Sequence, residues 1–585
     1  MQPTLCDLFQ AAVERHPNRI ALKHKRKGRY QPMTFRELAR VVDIVAANLI
    51  RLGISKGDAV AIFCENRPEW AIADLAALQI GAVVVPIYPT MPAATVRYIL
   101  SDARVKLIVL QSEDAVAMIG QLRSELPDLA QVVVVAAGER LDTTLSRFEE
   151  TLLAPVEAAL PRTVVASDDV ATIVYTSGTT GEPKGVVLTH GNIAANVRAA
   201  ISRFGMTSRD VILSYLPLCH MFERTCGFYA VLFSGGTIAF AESVATVTDD
   251  VLTVRPTLLI AVPRVLEKGF EHAVQKVSHR SPWGRQLVET AMRNLKDRFD
   301  REFRHEPVSR SLKIKCALLD LFVASRFRKI AGGRMRFIAC GGAPLDRKIA
   351  KAYCILGYQV LEGYGLTEAS PIVSCNVPGE NRLGTVGRPM EGVDVRIAEQ
   401  DEVLVRGPNI MRGYLNKPRE TAAAIDPEGW LHTGDQGRFD DDGHLIITGR
   451  IKELIVTSYG KNVPAAAIEA KITRSPYVSQ AMLIGDNRKY LVALLVPNRA
   501  AIAEHLGEHK SNASAVTDLL RREVDAATED CARYEKVKSF AVVEDEFTVA
   551  SGLLTPTLKL RRKQIAERYR DVIESLYAQA DGESA

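Results

Sequence analysis

The sequence predicts an α/β protein. A large multi-sheet N-terminal domain with a β-rich subdomain is followed by a small α+β C-terminal domain. Three observations carry this expectation. Over the first 450 residues, short apolar runs alternate with amphipathic helical patterns, the rhythm of largely parallel sheets covered by helices. After Glu391 the pattern becomes short strands with tight turns. Around Gly449-Arg450-Ile451-Lys452 it shifts again, to two apolar strands, one helical stretch and a basic end. Domains are therefore expected at 1–450, with about 391–450 as the β-rich subdomain, and at 451–585; a chain of 585 residues is in any case too long for one core.

The elements follow in order. Thr34-Phe35-Arg36-Glu37-Leu38 opens a helix, with Thr34 as N-cap and Glu37 completing a capping box. Strands are expected at Ala59–Phe63, Val83–Ile87, Lys106–Leu110, Gln131–Val135, Thr257–Val262 and Met335–Ala339. The β-rich part is expected to hold strands at Asp394–Ile397, Glu402–Arg406 and His444–Thr448, with Asp441-Asp442-Gly443 as a turn. Beyond the boundary come strands Val478–Ile484 and Leu491–Val496 and a helix near Ala513–Ala527.

The formal net charge of +5 is small for this length and gives no case for nucleic acid as a partner. Its distribution is uneven: between Arg293 and Arg336 stand thirteen Lys/Arg against five Asp/Glu. Apolar Leu312, Ile314, Leu318, Leu319, Leu321, Phe322, Val323 and Phe327 interleave with them. Read as a helix, this segment offers either an interfacial face for peripheral membrane contact or a solvated face packed on the core. Nine scattered cysteines without a C-x-x-C pair point to a reducing compartment and to no zinc site. The N-terminus lacks a basic region followed by an apolar core, and the greasy stretch near Leu75–Tyr88 is too short to span a bilayer. A cytoplasmic location is expected.

The most informative stretch is Tyr175-Thr176-Ser177-Gly178-Thr179-Thr180-Gly181-Glu182-Pro183-Lys184-Gly185, set between the apolar runs Val170–Val174 and Val186–Leu188. Glycines let backbone N–H groups approach phosphate oxygens, hydroxyls add donors, and the lysine adds a point charge. It is not a Walker loop, which would need Gly in place of Pro183 and Ser or Thr in place of Gly185.

Four further segments bear chemistry. Gly341-Gly342-Ala343 follows a strand, so its backbone can line a flat ligand. Glu362-Gly363-Tyr364-Gly365-Leu366-Thr367-Glu368 gives a glycine-flanked aromatic for stacking, then a hydroxyl and a carboxylate suited to Mg²⁺ beside phosphates. Asp435, ending Gly429-Trp430-Leu431-His432-Thr433-Gly434-Asp435, can accept from two vicinal ribose hydroxyls. Leu554-Thr555-Pro556-Thr557-Leu558-Lys559 sets a lysine in a loop near the C-terminus. Taken singly, Thr-Glu is often a helix cap and Gly-Asp a turn; order and spacing together raise them above that.

With these motifs in this order, the chain resembles the adenylate-forming (AMP-binding) superfamily from about Leu8 to Ile565, and specifically its long-chain fatty acyl-CoA synthetase branch. The resemblance implies ATP and coenzyme A as co-substrates and Mg²⁺ as cofactor. It implies nucleotide contacts from Thr176, Ser177, Gly178, Thr179, Thr180, Gly181, Lys184, Gly341, Gly342, Ala343, Tyr364, Gly365, Thr367, Asp435 and Arg450. Glu368 would hold the metal, Thr367 and Glu368 would flank the α-phosphate, and Lys559 would be the adenylation lysine. Lys452 would be a hinge that makes the small C-terminal domain mobile, while Gly460 and His220 would border the pantetheine tunnel, His220 also lying near the acyl carboxylate. Many relatives carry Ser-Gly-Lys where this chain has Thr557-Leu558-Lys559, a form shared by the long-chain branch, which Leu216–Arg224 also favours.

The implied reaction activates a fatty acid as acyl-AMP with loss of pyrophosphate, after which the CoA thiol displaces AMP. Alternatives of the same class load a carrier protein or accept an aryl or terpenoid acid. A silent lipid- or nucleotide-binding paralogue is disfavoured by Lys184, Glu368, Asp435 and Lys559, all of the required type.

Overall fold

The computed structural model describes residues 2–582 except 136–145, 157–162, 177–181, 244, 279–281, 305, 452–453, 460, 508–511 and 556–558. Two large sheets dominate it. The eight-stranded sheet runs Gly413–Tyr414, Lys184–Thr189, Val170–Thr176, Val83–Pro86, Ala59–Phe63, Val105–Leu110, Gln131–Val134, Ser146–Arg147. From Val170–Thr176 to Ser146–Arg147 its neighbours are parallel. The nine-stranded sheet runs Arg388–Pro389, Ile372–Cys375, Val360–Gly365, Phe337–Cys340, Leu258–Ala261, Val211–Ser214, Thr237–Phe240, Ile20–Arg26, Arg29–Thr34. The expected strands are present, each end lying within two residues of the reading from sequence.

The layering explains the continuous apolar runs. In Ala59–Phe63, Val60 and Ile62 face the core shared by both sheets, and Ala59, Ala61 and Phe63 face the helices outside. A strand buried on both faces needs no polar alternation. Between the sheets lies helix Pro68–Gln79, with eleven buried residues from Pro68 to Leu78. Its end, Leu75–Gln79, opens the greasy stretch seen in the sequence, and the helix serves as the central layer. Among the described residues no helix is long and apolar enough to cross a membrane.

That layer holds a fully buried polar cluster. Arg224 donates to Asp74, to Thr172 Oγ1 at 2.8 Å and to Tyr229 Oη at 3.0 Å. Tyr229 in turn donates to Asp74 Oδ2 at 2.6 Å. Removing one partner of such a pair costs on the order of 3–5 kcal/mol, because the other charge is left buried alone. Arg224, the last residue of the Leu216–Arg224 segment, thus pins the segment from behind the sheet.

Helix Phe35–Arg51 begins with the expected Thr34 capping box. Antiparallel strands Asp394–Ile397, Glu402–Arg406, Leu431–Phe439 and Leu445–Arg450 form a four-stranded sheet. Farther along, Val478–Ile484, Leu491–Pro497 and Val537–Val542 form a three-stranded sheet with helices and two core clusters of their own, drawn from residues 455–577. All nine cysteines are free.

In the basic segment, read from sequence as either an interfacial face or a solvated face packed on the core, the apolar residues lie on two faces. Helix Arg310–Leu319 continues through Asp320–Ala324 into Ser325–Ile330. Cys316, Leu319, Val323 and Phe327 turn into the core, whereas Ile314, Leu318, Leu321 and Phe322 turn outward.

Candidate active site

Four neighbouring parallel strands, Val211–Ser214, Leu258–Ala261, Phe337–Cys340 and Val360–Gly365, end at one edge of the nine-stranded sheet. Ligands of open α/β sheets bind outside such carboxyl ends. The chain leaving the first carries His220, the third leads into Gly341–Ala343, and the fourth supplies Tyr364 and Gly365 before Thr367 and Glu368.

The wall is backbone because side chains do not fit. A Cβ on Gly341 would lie 3.2 Å from the Phe222 ring and 3.4 Å from the Gly363 carbonyl oxygen, and one on Gly365 would lie 2.0 Å from the Pro371 carbonyl oxygen. Gly342 has φ +84°, in the left-handed region, and both it and Ala343 are exposed at the rim.

Asp435 joins two other expected residues. Tyr364 Oη donates to its Oδ2 at 2.6 Å, and Arg450 Nε donates to its Oδ1 at 2.7 Å. Asp435 and Arg450 face each other in register across two strands of the small sheet. Burial, and then the Asp435 charge, hold the Tyr364 phenol well above its ordinary pKa. It stays a neutral donor.

Lys184 and Glu368 meet through a residue the sequence did not single out. Strand Gly413–Tyr414 pairs with Lys184–Thr189, and Tyr414 Oη donates to Glu368 Oε1 at 3.0 Å. Lys184 Nζ sits 4.9 Å from the Tyr414 ring centroid, a cation–π distance. Met411 N–H also donates to the Glu368 carbonyl at 2.8 Å. Thr367 begins the short 3₁₀ turn that presents Glu368. Thr176 pairs with Lys184 at the base of the phosphate-type loop. Ser177, Gly178, Thr179, Thr180 and Gly181 lie outside the described residues, as do Lys452 and Gly460.

His220 is half-buried. Its Nδ1 accepts from Phe222 N–H at 3.2 Å, so the neutral ring carries its proton on Nε2. Burial first, and the nearby Lys559 charge second, lower its pKa to about 4. The charge of the C-terminal lysine is thus felt at the histidine loop of the N-terminal sheet. Lys559 is held in a tight loop: Thr555 N–H donates to its carbonyl at 2.8 Å, its own N–H donates to Thr555 Oγ1 at 3.0 Å, and Arg561 N–H donates to Leu553 carbonyl at 2.9 Å. Arg562 anchors the next turn by donating at 2.7 Å to Glu469, whose Oε1 also accepts from Leu483 N–H at 2.6 Å.

The edge is thus furnished with a lysine and a carboxylate joined through Tyr414, an aspartate held by tyrosine and arginine, and a neutral histidine that feels the charge of a second lysine. These groups suit an anionic nucleotide and a second anion brought up to it. A family model described as "AMP-binding enzyme" matches residues 9–415, and one described as "AMP-binding enzyme C-terminal domain" matches residues 452–581. The chain belongs to the AMP-binding enzyme family, the adenylate-forming superfamily that its motifs resemble.

Among curated relatives, the long-chain-fatty-acid–CoA ligase FadD15 of Mycobacterium bovis is 34% identical over 575 residues, covering 96% of this chain and 95% of the relative. The long-chain-fatty-acid–CoA ligase ACSBG1 of Rattus norvegicus is 31% identical, covering 98% and 85%. Among solved structures, the adenylation domain of a carboxylate reductase from Mycobacterium chelonae superposes with TM-score 0.80 at 23% identity, covering 98% of this chain and 91% of that one. The anthranilate CoA ligase AuaEII in complex with anthranoyl-AMP gives 0.75 at 19% identity, covering 98% of each. These two share the fold.

Proposed function

We propose that this protein is an ATP-dependent long-chain fatty acid–CoA ligase of the AMP-forming kind. The observation that carries the reading is the join of the two parts at one edge: Arg474 of the C-terminal part pairs with Asp346 at 2.8 Å, just beyond Gly341–Ala343, and the Lys559 charge is felt at His220. Curated relatives of that name, at 31–34% identity over nearly the whole chain, support the choice of acid.

A carboxylate acylates poorly because oxide is a poor leaving group. Here the acid attacks the α-phosphorus of ATP, forming the acyl–O–P bond and breaking the bond to pyrophosphate. Two anions must meet, so the barrier is mainly electrostatic. Lys559 bridges the nucleophile and the α-phosphate, contributing charge and positioning. Lys184 and the hydroxyl-rich loop at 176–184 hold the β- and γ-phosphates. Tyr364 and Gly341–Ala343 wall the adenine, and Asp435, oriented by Arg450, accepts from the ribose hydroxyls. Neutral His220 donates from Nε2 toward the carboxylate without adding a charge.

The residues present fit Mg²⁺. Tyr414 and Met411 fix Glu368 beside Lys184, and among the described residues there is no cluster of three His/Cys/Asp/Glu that would make an all-protein cage. A hard cation held by one carboxylate and substrate phosphates matches that donor set. When bound, Mg²⁺ supplies charge neutralisation at the phosphates.

In the second half-reaction the CoA thiol attacks the acyl carbonyl and AMP leaves. A lysine between carboxylate and phosphate obstructs that approach, so the C-terminal part swings about Lys452 and brings the loop at Gly460 to the tunnel bordered by His220. The reading is of a cytoplasmic enzyme, and the partitioning of a long-chain acid into bilayers gives it a reason for peripheral contact with a membrane. The test is pyrophosphate release from ATP with fatty acids of graded length, then with CoA or a holo-carrier protein. Release with long-chain acids and product only with CoA supports the ligase; silence with every acid removes it.

A further inference from the structure

The helix through 310–330 is apolar on two opposite faces, and only one of them is used by the fold. Cys316, Leu319, Val323 and Phe327 pack into the core cluster that also contains Tyr215 and Cys340. About half a turn round the helix, Ile314, Leu318, Leu321 and Phe322 stand 54–65% exposed. Other large exposed hydrophobics of the described residues, such as Val164, Leu252 and Val572, are scattered singly. Four within nine residues on one face make a patch, and a patch of this kind marks a docking site.

Its charge says what it meets. Exposed Lys313 and Lys315 border the stripe on either side, with Arg310, Arg326 and Lys329 beyond them. Asp320 is the one acid between Arg310 and Ile330. Arg328 holds it bidentately at 2.8 and 2.7 Å, which sets a cation directly against its charge. Long cationic stems flanking a shallow apolar stripe can keep their heads at phosphate level while the stripe enters the acyl boundary.

We propose that the outward face of the 310–330 helix docks this protein on the surface of a bilayer containing anionic lipid. Why such docking serves the enzyme rests on the fatty-acid reading; the surface chemistry does not. The contact is interfacial, driven jointly by apolar insertion and by attraction between the basic rim and lipid phosphates and carboxylates.

The test is flotation of the purified full chain with vesicles of phosphatidylcholine alone or mixed with phosphatidylserine, at low and physiological salt. The wild-type protein is expected to float with the mixed vesicles, less at higher salt and least with phosphatidylcholine alone. Leu318→Glu with Phe322→Glu is expected to weaken flotation by about tenfold or more. Lys313→Gln with Lys329→Gln is expected to remove most of the salt-sensitive part. All three proteins should melt alike and release pyrophosphate equally with a short, water-soluble acid, which separates lost docking from lost folding. Absence of flotation at low salt overturns the proposal, as does a double-Glu variant that floats like wild type. A wild-type protein that instead dimerises through this face also overturns it. Failure of pyrophosphate release with every acid, alongside normal flotation, strikes the ligase reading and leaves the docking face standing.

Discussion

Arg474 of the C-terminal part pairs with Asp346 of the N-terminal part, Nε to Oδ2, at 2.8 Å. Asp346 caps helix Arg347–Ile355, its Oδ1 accepting from Lys348 N–H at 2.7 Å, and it follows the Gly341–Ala343 wall by three residues. The pair therefore ties the part carrying Lys559 to the edge where the nucleotide is proposed to lie.

Arg474→Ala loosens that tie. Arg474 is 44% exposed in its side chain, so the pair contributes under about 1 kcal/mol. Adenylation should slow by a few-fold, while thioesterification of supplied acyl-AMP should hold or rise. Asp346→Asn keeps an N-cap and should reproduce the effect. Half-reaction rates in a quench-flow experiment check it; equal slowing of both steps contradicts it.

Lys559→Ala should lower adenylation by about 10²–10³-fold, as for a lost oxyanion donor, and largely spare the second half-reaction. The same substitution removes a positive charge near His220, so the imidazole pKa should rise, as read by NMR titration of the ring protons. An unmoved His220 pKa would mean the two residues do not meet in solution.

Asp435→Ala should raise the KM for ATP about tenfold or more, because Tyr364 and Arg450 lose the acceptor that orients them. Tyr364→Phe removes one hydrogen bond and keeps the ring, so only a few-fold rise is expected, about 1 kcal/mol. Steady-state kinetics at saturating acid distinguish the two; equal effects would deny Asp435 any role beyond holding Tyr364.

Glu223 is 1% exposed and accepts from Ser214 Oγ at 2.8 Å. Burial pushes its pKa up to about 8, against the opposing hydrogen bond. A carboxyl raised in the folded state stabilises below its unfolded pKa and loses that contribution as pH rises through 8. Glu223→Gln should therefore be more stable than wild type above neutrality, on the order of 3 kcal/mol, with the gap closing toward acid pH. Urea denaturation across the range measures it; a gap widening toward low pH contradicts the sign.

Much of this was legible in the sequence. Continuous apolar runs such as Ala59–Phe63 announced strands buried on both faces, and Thr34 with Glu37 announced a helix start, because both signals are local. The apolar runs Val170–Val174 and Val186–Leu188 were legible as flanks of a polar stretch, whereas their antiparallel pairing is a finding of the structure. Tyr414 was not: its two-residue strand pairs with Lys184–Thr189 from more than two hundred positions away. Arg474 and Asp346 were silent for the same reason, since only packing of the two parts brings them together. The outward stripe at Ile314, Leu318, Leu321 and Phe322 was ambiguous in principle. Apolar residues round a whole helix do not tell which face the core takes.

In the proposed reaction a carboxylate oxygen of the acid attacks the α-phosphorus. Palmitate carrying heavy oxygen in its carboxylate tests it in one turnover with ATP and CoA, with mass spectrometry of the products. Attack at the α-phosphorus leaves one labelled oxygen in AMP and none in pyrophosphate. Label in pyrophosphate or inorganic phosphate, with AMP unlabelled, would contradict it.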